Sequence, residues 1–352
     1  MRVALAGAGN IADRYAAAIV NAPELELAGA TDPVPGRAAA LVAAQGGVEY
    51  PTLEALLADE AVDTVVNLTS PQAHFDVSEA SLDAQKHVHS EKPLALTHDD
   101  ARALVERARR NGVRLSSAPT TLLGEAQQTA WKLVREGAIG TVRAVYAEAN
   151  WGRLEAWHPD SRSLYAVGPL VDVGVYPLTI VTAMLGPVRR VQAFAKTLEP
   201  ERRLLDGTSF VPESPDFVVA SVELAEGVLV RLTASFYVGP CKQRGLELHG
   251  DAGSLYLPTW AEADSLIEQQ VRGGEYAKVA PVRRPFHGVD WGRALVDLAH
   301  AVDEGRPHRS SGEHAAHVVE VFDAVRRSLA RGGLAVEVQS DFRRPEPMDW
   351  AR

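Results

Sequence analysis

Hydrophobic and polar positions alternate between two rhythms along the first third of the chain. Apolar runs such as RVALAG, LELAGAT and VDTVVNLT have the length of buried strands, and each precedes a stretch with the 3.6-residue spacing of an amphipathic helix. The helical stretches end at glycines, as in PGRAAALVAAQGG and HDDARALVERARRNG. Repeated strand–helix units predict right-handed crossovers and an α/β fold, a doubly wound, mostly parallel sheet with helices on both faces.

The rhythm changes after Pro119. One more helical stretch, GEAQQTAWKLVREGAIG, leads into longer strand-like segments, several of which meet at glycine turns such as HGDAGS. Two helical stretches follow, and the closing RRPEPMDWAR is expected to be a surface tail. This half predicts an α+β domain built on a large, mostly antiparallel sheet with helices on one face. We place the two domains at residues 1–118 and 119–352.

Composition excludes several classes of protein. A length of 352 residues favours two domains, and 36 basic against 46 acidic side chains give a net charge of −10, which argues against nucleic acid and anionic membranes as partners. The single cysteine, Cys241, is unable to form an intrachain disulfide, which fits a reducing compartment. No apolar run is expected to span a bilayer. The leading class is therefore a cytoplasmic enzyme.

The first predicted strand ends in a glycine turn typical of dinucleotide-binding Rossmann domains. Residues 7–12 read GAGNIA, the G-x-G-x-x-A pattern. In this pattern the first glycine makes the tight turn, the second lets backbone N–H groups approach a pyrophosphate, and the alanine lets helix and strand pack closely. The helix N-terminus adds partial positive charge for the phosphates. The predicted cofactor contacts in this turn are Gly7, Ala8, Gly9, Asn10 and Ile11.

An acidic residue follows at the end of the second predicted strand. Asp32 lies about 20 residues past Ala12, the spacing expected of a carboxylate that binds a ribose 2′-hydroxyl. The same carboxylate would repel the 2′-phosphate of NADP, and residues 33–35 offer no cation, although Arg37 is close enough in sequence to reach in. We therefore predict NAD as the cofactor, with NADP as the alternative.

The segment SEKPLAL at residues 90–96 places an acid and a base directly before a proline. Proline lacks a backbone N–H and favours an extended conformation of the preceding residue, so Lys92 would be held with little backbone freedom. Ligands of doubly wound sheets bind at the carboxyl ends of the strands. Because HSEKP and the earlier NLTSP both mark such ends, we predict that Lys92 lies near the nicotinamide.

A second candidate pair lies in VGPLVDVGVYPLTIVTAML, which predicts a helix entered at residues 168–169. Asp172 and Tyr176 are four residues apart and would point from one face of that helix. Gly174 and Pro177 are poor residues for a helix interior, and they indicate a close approach or a kink beside a site. A satisfied buried aspartate and a packed tyrosine stay open as the alternative.

Together and in this order, the motifs resemble the glucose–fructose oxidoreductase / inositol dehydrogenase / MocA (Gfo/Idh/MocA) family over essentially the whole chain. The resemblance rests on GAGNIA at 7–12, TD at 31–32, NLTSPQAH at 67–74, EKP at 91–93 and DVGVYP at 172–177. Tyr176 stands where histidine is commonest, which is similar to a tyrosine-containing subset of sugar and diol dehydrogenases. Gln72 in place of asparagine, and the lack of an arginine in 116–124, leave the substrate open.

The resemblance implies hydride transfer between NAD(P) and a secondary alcohol of a sugar, inositol or related diol. Tyr176 would remove the hydroxyl proton, Lys92 would orient the hydroxyl and stabilise the phenolate, and Asp172 would orient Lys92 or bind an adjacent hydroxyl. Further cofactor contacts are implied at Leu68, Thr69, His74, Glu91 and Lys92. Substrate contacts are implied at Lys92, Trp157, His158, Asp172 and Tyr176. Homodimers or homotetramers are implied as well.

Two other functions stay open at this stage. One is an NAD-dependent glycosidase that oxidises its substrate transiently, and the other is a catalytically silent nucleotide-binding regulator. A metal site is not predicted, because His314 and His317 on a helical stretch, with His308 upstream, lack a cysteine or a carboxylate–histidine set to complete a coordination sphere.

Overall fold

Strand and helix segments alternate through the first third of the computed structural model, which describes residues 1–352. In chain order they are β1 (Arg2–Ala6), α1 (Ala12–Val20), β2 (Glu26–Thr31), α2 (Arg37–Gln45), β3 (Val48–Glu49), α3 (Leu53–Leu57), β4 (Thr64–Asn67), α4 (His74–Asp83), β5 (His87–Ser90), α5 (His98–Asn111) and β6 (Leu115–Ser117). Strand β3, only two residues long, has no counterpart in the sequence prediction.

The six strands form one sheet in the order β3-β2-β1-β4-β5-β6, and each neighbouring pair is parallel. The order reverses at β1, whose two neighbours are β2 and β4. A crevice outside the carboxyl ends of the strands at such a point is where doubly wound sheets bind their ligands. The predicted doubly wound α/β architecture of this half is confirmed.

Helix α5 shows why the local sequence folds as predicted. The side chain of Thr97 accepts a hydrogen bond from the backbone N–H of Asp100 at 3.2 Å and so caps the helix. Acidic residues stand in its first turn and arginines in its last, which suits the helix dipole at both ends. Gly112, with φ of 68°, ends the helix in the left-handed conformation that glycine adopts readily.

The remaining two thirds of the chain contain longer strands and five further helices. In chain order they are α6 (Glu125–Arg135), β7 (Val142–Asn150), α7 (Arg162–Asp172), α8 (Val175–Leu185), β8 (Val188–Lys196), β9 (Arg202–Arg203), β10 (Ser209–Phe210), β11 (Phe217–Leu224), β12 (Leu229–Ser235), β13 (Gly245–Gly250), β14 (Gly253–Leu257), β15 (Glu268–Val271), β16 (Tyr276–Lys278), α9 (Arg293–Asp303), α10 (Gly312–Ala330) and β17 (Val336–Glu337). Short 3₁₀ helices cover Thr121–Leu123, Leu154–Ala156 and Asp349–Ala351.

Nine of these strands form a second sheet in the order β16-β15-β14-β13-β7-β12-β11-β8-β17. Every neighbouring pair is antiparallel except β7 and β12, which confirms the predicted mostly antiparallel sheet. Burial alternates along β11, where Val218, Ala220 and Val222 are buried. Helices α7 and α8 pack against central strands of this sheet, and Val219 and Phe194 stay exposed.

Contacts divide the chain into one compact unit made of Met1–Thr120 with Asp290–Val319, and another made of Thr121–Val289 with Glu320–Arg352. The sequence analysis assigned residues 290–319 to the second domain, whereas Leu295 and Ala299 of α9 pack in one core with Val3 and Ile19. An apolar stripe predicts that a helix will be buried, but it does not identify the sheet that buries it.

One helical segment is long and apolar enough to cross a membrane by length and composition. Residues 162–185 have a mean hydropathy of 1.5, so the expectation that no apolar run would suffice was wrong for this segment. The apolar window is 72% buried inside the protein, as in core helices of folded domains. Gly168, with φ of 80° and ψ of 168°, also interrupts the helix. The structure therefore supports a core segment.

The last five residues dock on α6, so the expectation of a surface tail was wrong for them. Ala351 is fully buried, and its carbonyl accepts a hydrogen bond from Arg135. The backbone N–H of Met348 donates to the side-chain oxygen of Gln128 at 2.8 Å. The proline and arginines of RRPEPMDWAR are typical of exposed chain, but they give no information about a docking partner more than 200 residues upstream in sequence.

The first prediction concerns acid stability. His89 in β5 is 0% exposed, and burial lowers the pKa of its imidazole from 6.5 to about 3. The unfolded chain binds a proton at this histidine near pH 6.5, whereas the folded chain does not. The free energy of unfolding should therefore fall as the pH drops from about 6.5 towards 3, by up to about 1.4 kcal/mol per pH unit for this group.

The variant His89→Gln removes this titration while keeping a polar side chain. Urea unfolding followed by circular dichroism, at neutral pH and near pH 5, should show a shallower loss of stability in the variant than in the wild type. Equal pH slopes in the two proteins would contradict the prediction, whatever their absolute stabilities.

Candidate active site

The glycine turn after β1 is built from close backbone contacts. Gly7 has φ of 103°, and a Cβ at this position would lie 2.8 Å from the backbone carbonyl carbon and oxygen of Leu68. Its N–H donates to the carbonyl of Thr31 at 2.8 Å. Only glycine fits both the positive φ and the contact, so the turn joins the ends of β1, β2 and β4.

The second glycine of the turn faces open space. A Cβ on Gly9 would meet no protein atom within 4 Å. Helix α1 begins three residues later at Ala12, which is 1% exposed and packs in the core of the first unit. Open space beside a helix N-terminus is what a pyrophosphate requires, so these residues fit the predicted dinucleotide.

Asp32 ties the end of β2 to the same turn. One carboxylate oxygen accepts from the backbone N–H of Ala8 at 2.7 Å, and the other accepts from Val34 at 2.8 Å. Each carboxylate oxygen has a second lone pair, so a ribose hydroxyl could still donate to it. The predicted ribose contact therefore stays a prediction, and the carboxylate has an additional role in fixing the glycine turn.

A buried amide organises the loop after β4, where Leu68 and Thr69 lie. Asn67 is 0% exposed, and its amide group donates to the carbonyl of His74 at 2.9 Å and to the Ser78 hydroxyl at 3.0 Å. Its side-chain oxygen accepts from the N–H of Thr69 at 3.2 Å and from its hydroxyl at 2.6 Å. The Asn67 side chain thus holds the loop 68–73 to the start of α4.

His74 connects this loop to the Glu91–Pro93 turn. Its ring is 1% exposed, with Nδ1 2.6 Å from the carbonyl oxygen of Pro93 and Nε2 3.1 Å from that of Thr69. Burial lowers the pKa of His74, although the two carbonyl partners and Glu91 oppose that shift. Both ring nitrogens face backbone carbonyls, so His74 links the loop after β4 to the Glu91–Pro93 turn at the edge of the sheet.

Glu91 fixes the backbone of the neighbouring lysine. One of its carboxylate oxygens accepts from the N–H of Lys92 at 2.9 Å, and the other accepts from the hydroxyl of Tyr15 at 2.8 Å. Its own N–H donates to the carbonyl of Asn67 at 2.9 Å. The acid beside the base therefore holds the turn that presents Lys92, whose side chain is half-buried. Sequence reasoning missed Tyr15, which lies far upstream on α1.

In the second unit, Asp172 and Tyr176 belong to two consecutive helices, so the expectation of one continuous helix was wrong. Asp172, 6% exposed, is the last residue of α7, and α8 begins at Val175. Between them the N–H of Gly174 donates to the carbonyl of Pro169, five residues back, at 2.9 Å. A Cβ on Gly174 would lie 2.6 Å from the Leu170 carbonyl oxygen. The predicted kink and close approach are both present.

Tyr176 stacks on an aromatic side chain that the sequence analysis did not select. Its ring lies 4.7 Å from the ring of Trp260, with 28° between the planes. The Trp260 indole N–H donates to the carbonyl of Glu148 at 3.0 Å, which fixes the ring in place. Trp260 follows β14 in the sequence, and its position just past a predicted strand was the one signal available.

Trp157 and His158 lie beside a buried ion network. Their rings are 5.6 Å apart, and Trp157 is 56% exposed. Nearby in sequence, Glu155 accepts from the guanidinium of Arg202 at 2.7 Å, and the same guanidinium donates to Asp216 at 2.7 Å. Arg202 is 2% exposed, so these pairs anchor the 155–158 segment firmly.

The histidines of α10 are core residues. His314 is 3% exposed and His317 is 0% exposed, and burial lowers the pKa of His314 to about 3. No group of three or more histidine, cysteine, aspartate and glutamate side chains is arranged to hold a metal ion.

Comparison with known proteins matches both halves of the chain to models of one oxidoreductase family. Residues 1–118 match an oxidoreductase family with an NAD-binding Rossmann fold, and residues 127–256 match the GFO/IDH/MocA C-terminal domain. A dTDP-3,4-didehydro-2,6-dideoxy-alpha-D-glucose 3-reductase of Streptomyces antibioticus is 30% identical over 336 residues, which cover 94% of this chain and 96% of the reductase.

Solved structures show the same fold. An aldose–aldose oxidoreductase from Caulobacter crescentus, complexed with glycerol, has a TM-score of 0.84 and 23% identity, covering 96% of this chain and 99% of that one. The WlbA dehydrogenase from Bordetella pertussis, in complex with NADH and UDP-GlcNAcA, has a TM-score of 0.80 and 22% identity, covering 97% and 99% of the two chains.

The two glycines of the turn allow a matched test of the cofactor site. In Gly9→Ala the new methyl group enters open space, so thermal stability without cofactor should match the wild type, whereas NADH affinity should fall about tenfold or more because the pyrophosphate loses its approach. In Gly7→Ala the methyl group meets the Leu68 backbone, so stability itself should fall. Calorimetric titration and thermal unfolding separate the two effects. Wild-type NADH affinity in Gly9→Ala would contradict the assignment.

Proposed function

The chain belongs to the Gfo/Idh/MocA family of NAD-binding oxidoreductases, and we propose that it interconverts a secondary alcohol of a sugar, inositol or related diol with the corresponding ketone. The observation that carries the proposal is the likeness to a sugar 3-reductase across 94% of the chain. The open space at Gly9 and the carboxylate of Asp32 support NAD as the cofactor.

The chain's own residues then handle the proton. Held by the glycine turn and Asp32, NAD would supply the acceptor for the hydride that leaves the carbinol carbon. Tyr176 accepts the hydroxyl proton as the C=O bond forms, so one proton and one hydride leave the substrate together. A tyrosine acts as a base near neutral pH only beside a cation that favours phenolate, and Lys92 supplies that charge in this proposal.

Lys92 and Asp172 complete the proposed set of catalytic residues. The Lys92 ammonium donates a hydrogen bond to the substrate hydroxyl, and the turn fixed by Glu91 and His74 supports this role because it limits how the lysine backbone moves. Asp172 orients Lys92 or binds an adjacent hydroxyl, and its 6% exposure supports a fixed position. Trp157 and His158 contact the sugar, and Leu68 and Thr69 contact the cofactor.

The preferred cofactor follows from the charge of Asp32. The Asp32 carboxylate disfavours the additional phosphate of NADP, so NAD is the preferred cofactor and NADP the alternative. The apolar segment 162–185 is mostly buried, which supports a soluble enzyme, and the single cysteine fits a reducing compartment such as the cytoplasm. Tyrosine at position 176 supports membership of the tyrosine-containing subset.

Two alternatives from the sequence analysis predict different outcomes of the same assay. A glycosidase that oxidises its substrate transiently would use the same cofactor site and the same Tyr176. Release of NADH in proportion to an oxidised sugar excludes it, whereas glycoside cleavage without net NADH would favour it. A silent regulator would bind NADH and turn over no polyol in a broad panel.

The catalytic prediction concerns Tyr176. In Tyr176→Phe the proton acceptor is lost while the stacked ring on Trp260 is kept, so turnover should fall about 10²–10⁴-fold with NADH affinity unchanged. A screen of sugars, inositols and diols, followed by reduced-cofactor absorbance, supplies the substrate. Tyr256→Phe on β14 is the matched control. Near-normal turnover in Tyr176→Phe would remove the assignment.

Self-association through the open face of the second sheet is the final part of the proposal. Phe194 is 63% exposed, Leu229 57% and Val219 37%, an apolar surface that a second copy would cover. Val219→Lys should therefore dissociate a dimer or tetramer in multi-angle light scattering, whereas Val20→Lys on α1 should not. A wild-type protein that is monomeric at high concentration would contradict it.

A further inference from the structure

Three aromatic rings form a ladder in the second unit. Tyr176 stacks on Trp260, and Trp260 lies 5.7 Å from the ring of Trp151, with 32° between the planes. Tyr176 is half-buried, Trp260 in the middle is 5% exposed, and Trp151 at the outer end is 47% exposed. The series therefore leads from the proposed catalytic phenol to a tryptophan open to solvent.

The outer rung is held by backbone contacts. The N–H of Trp151 donates to the carbonyl of Ser235 at 2.9 Å, so the residue continues the pairing of β7 with β12. Gly152 follows with φ of 80°, and a Cβ there would lie 3.2 Å from the Cα of Gly239. Trp151 is thus placed by a paired strand end and a close backbone approach, which is the pre-organisation that a binding platform needs.

Accordingly, we propose that Trp151 is an outer subsite that stacks on a second sugar ring, so that the preferred substrate is a disaccharide. This inference rests on the proposed function, since it takes Tyr176 as the group that meets the oxidised ring. The C–H faces of a pyranose are apolar, and an indole offers a large, rigid, apolar face at low entropy cost. The ladder extends outward from Tyr176 by two ring-to-ring steps, so a ring linked to the oxidised one meets Trp151.

The charges around the ladder favour a neutral second ring over a nucleoside diphosphate. Arg153, the second residue after Trp151, is paired with Glu199 at 2.8 Å and lies over the ring of Tyr237. Arg231 is paired with Glu148, whose backbone carbonyl accepts from the Trp260 indole. Each of these cations has a carboxylate partner that offsets its positive charge, and this favours an uncharged ring over a diphosphate.

The test compares one-ring and two-ring substrates on the NAD-loaded enzyme. Methyl β-D-glucopyranoside and cellobiose are one such pair, and equivalent pairs are used for whichever sugar the substrate screen selects. The wild type should favour the two-ring member about tenfold in kcat/KM, which corresponds to about 1.4 kcal/mol. In Trp151→Ala this preference should disappear through a higher KM for the two-ring substrate, with kcat and the one-ring kinetics unchanged.

Two further variants complete the design. Trp151→Phe keeps an aromatic face and should recover part of the preference. Phe286→Ala removes an aromatic side chain with the same 47% exposure elsewhere in the unit and should change neither substrate. Thermal unfolding confirms that each variant is folded.

The outcomes separate this inference from the proposed function. Turnover of no sugar by the wild type defeats the proposed function itself. Turnover with an equal effect of Trp151→Ala on both substrates, or with no two-ring preference in the wild type, overturns the outer subsite alone. A wild-type preference for UDP-glucose over cellobiose also overturns it and indicates a nucleotide sugar instead.

Discussion

Buried polar groups at the carboxyl edge of the first sheet must find partners within the protein, because an unpaired donor or acceptor in a low-dielectric interior is costly. Asn67, His74 and Glu91 meet this requirement by bonding to backbone groups of the turns that follow β4 and β5. Each turn is thereby fixed by the side chain at its own start and by His74, which bonds to both turns. The position of Lys92, and of every group proposed to touch the cofactor there, depends on this network.

The features of the fold and the candidate site that could be predicted depend on residues close together in the sequence. The short G-x-G-x-x-A motif predicts the glycine turn, because Gly7 needs a positive φ and a close backbone approach that only glycine allows. The parallel strands follow from continuous apolar runs, and Lys92 follows from its place at a strand end. Asp32 was found by spacing from the turn, and its bond to Ala8 explains why that spacing is needed.

The parts that could not be predicted depend on contacts between distant residues. Tyr15 contacts Glu91 across 76 positions of sequence, and Trp260 contacts Tyr176 although seven strands separate them along the chain. The break between Asp172 and Tyr176 was visible as an unfavourable glycine, but its form depends on how Gly174 meets the Leu170 carbonyl. The local sequence determines the propensity for helix or strand, whereas these contacts depend on how residues distant in sequence pack together.

These two kinds of constraint divide the chemistry. Residues proposed for the cofactor lie on turns locked by buried hydrogen bonds, so substitution there disturbs several partners at once. The aromatic side chains proposed for the substrate, Trp151 and Trp157, stand on the loop after β7, where exposure leaves room for change. Solved structures that are 22% and 23% identical to this chain keep its fold. We therefore expect substrate identity to depend mainly on the exposed aromatic side chains after β7, and much less on the locked turns.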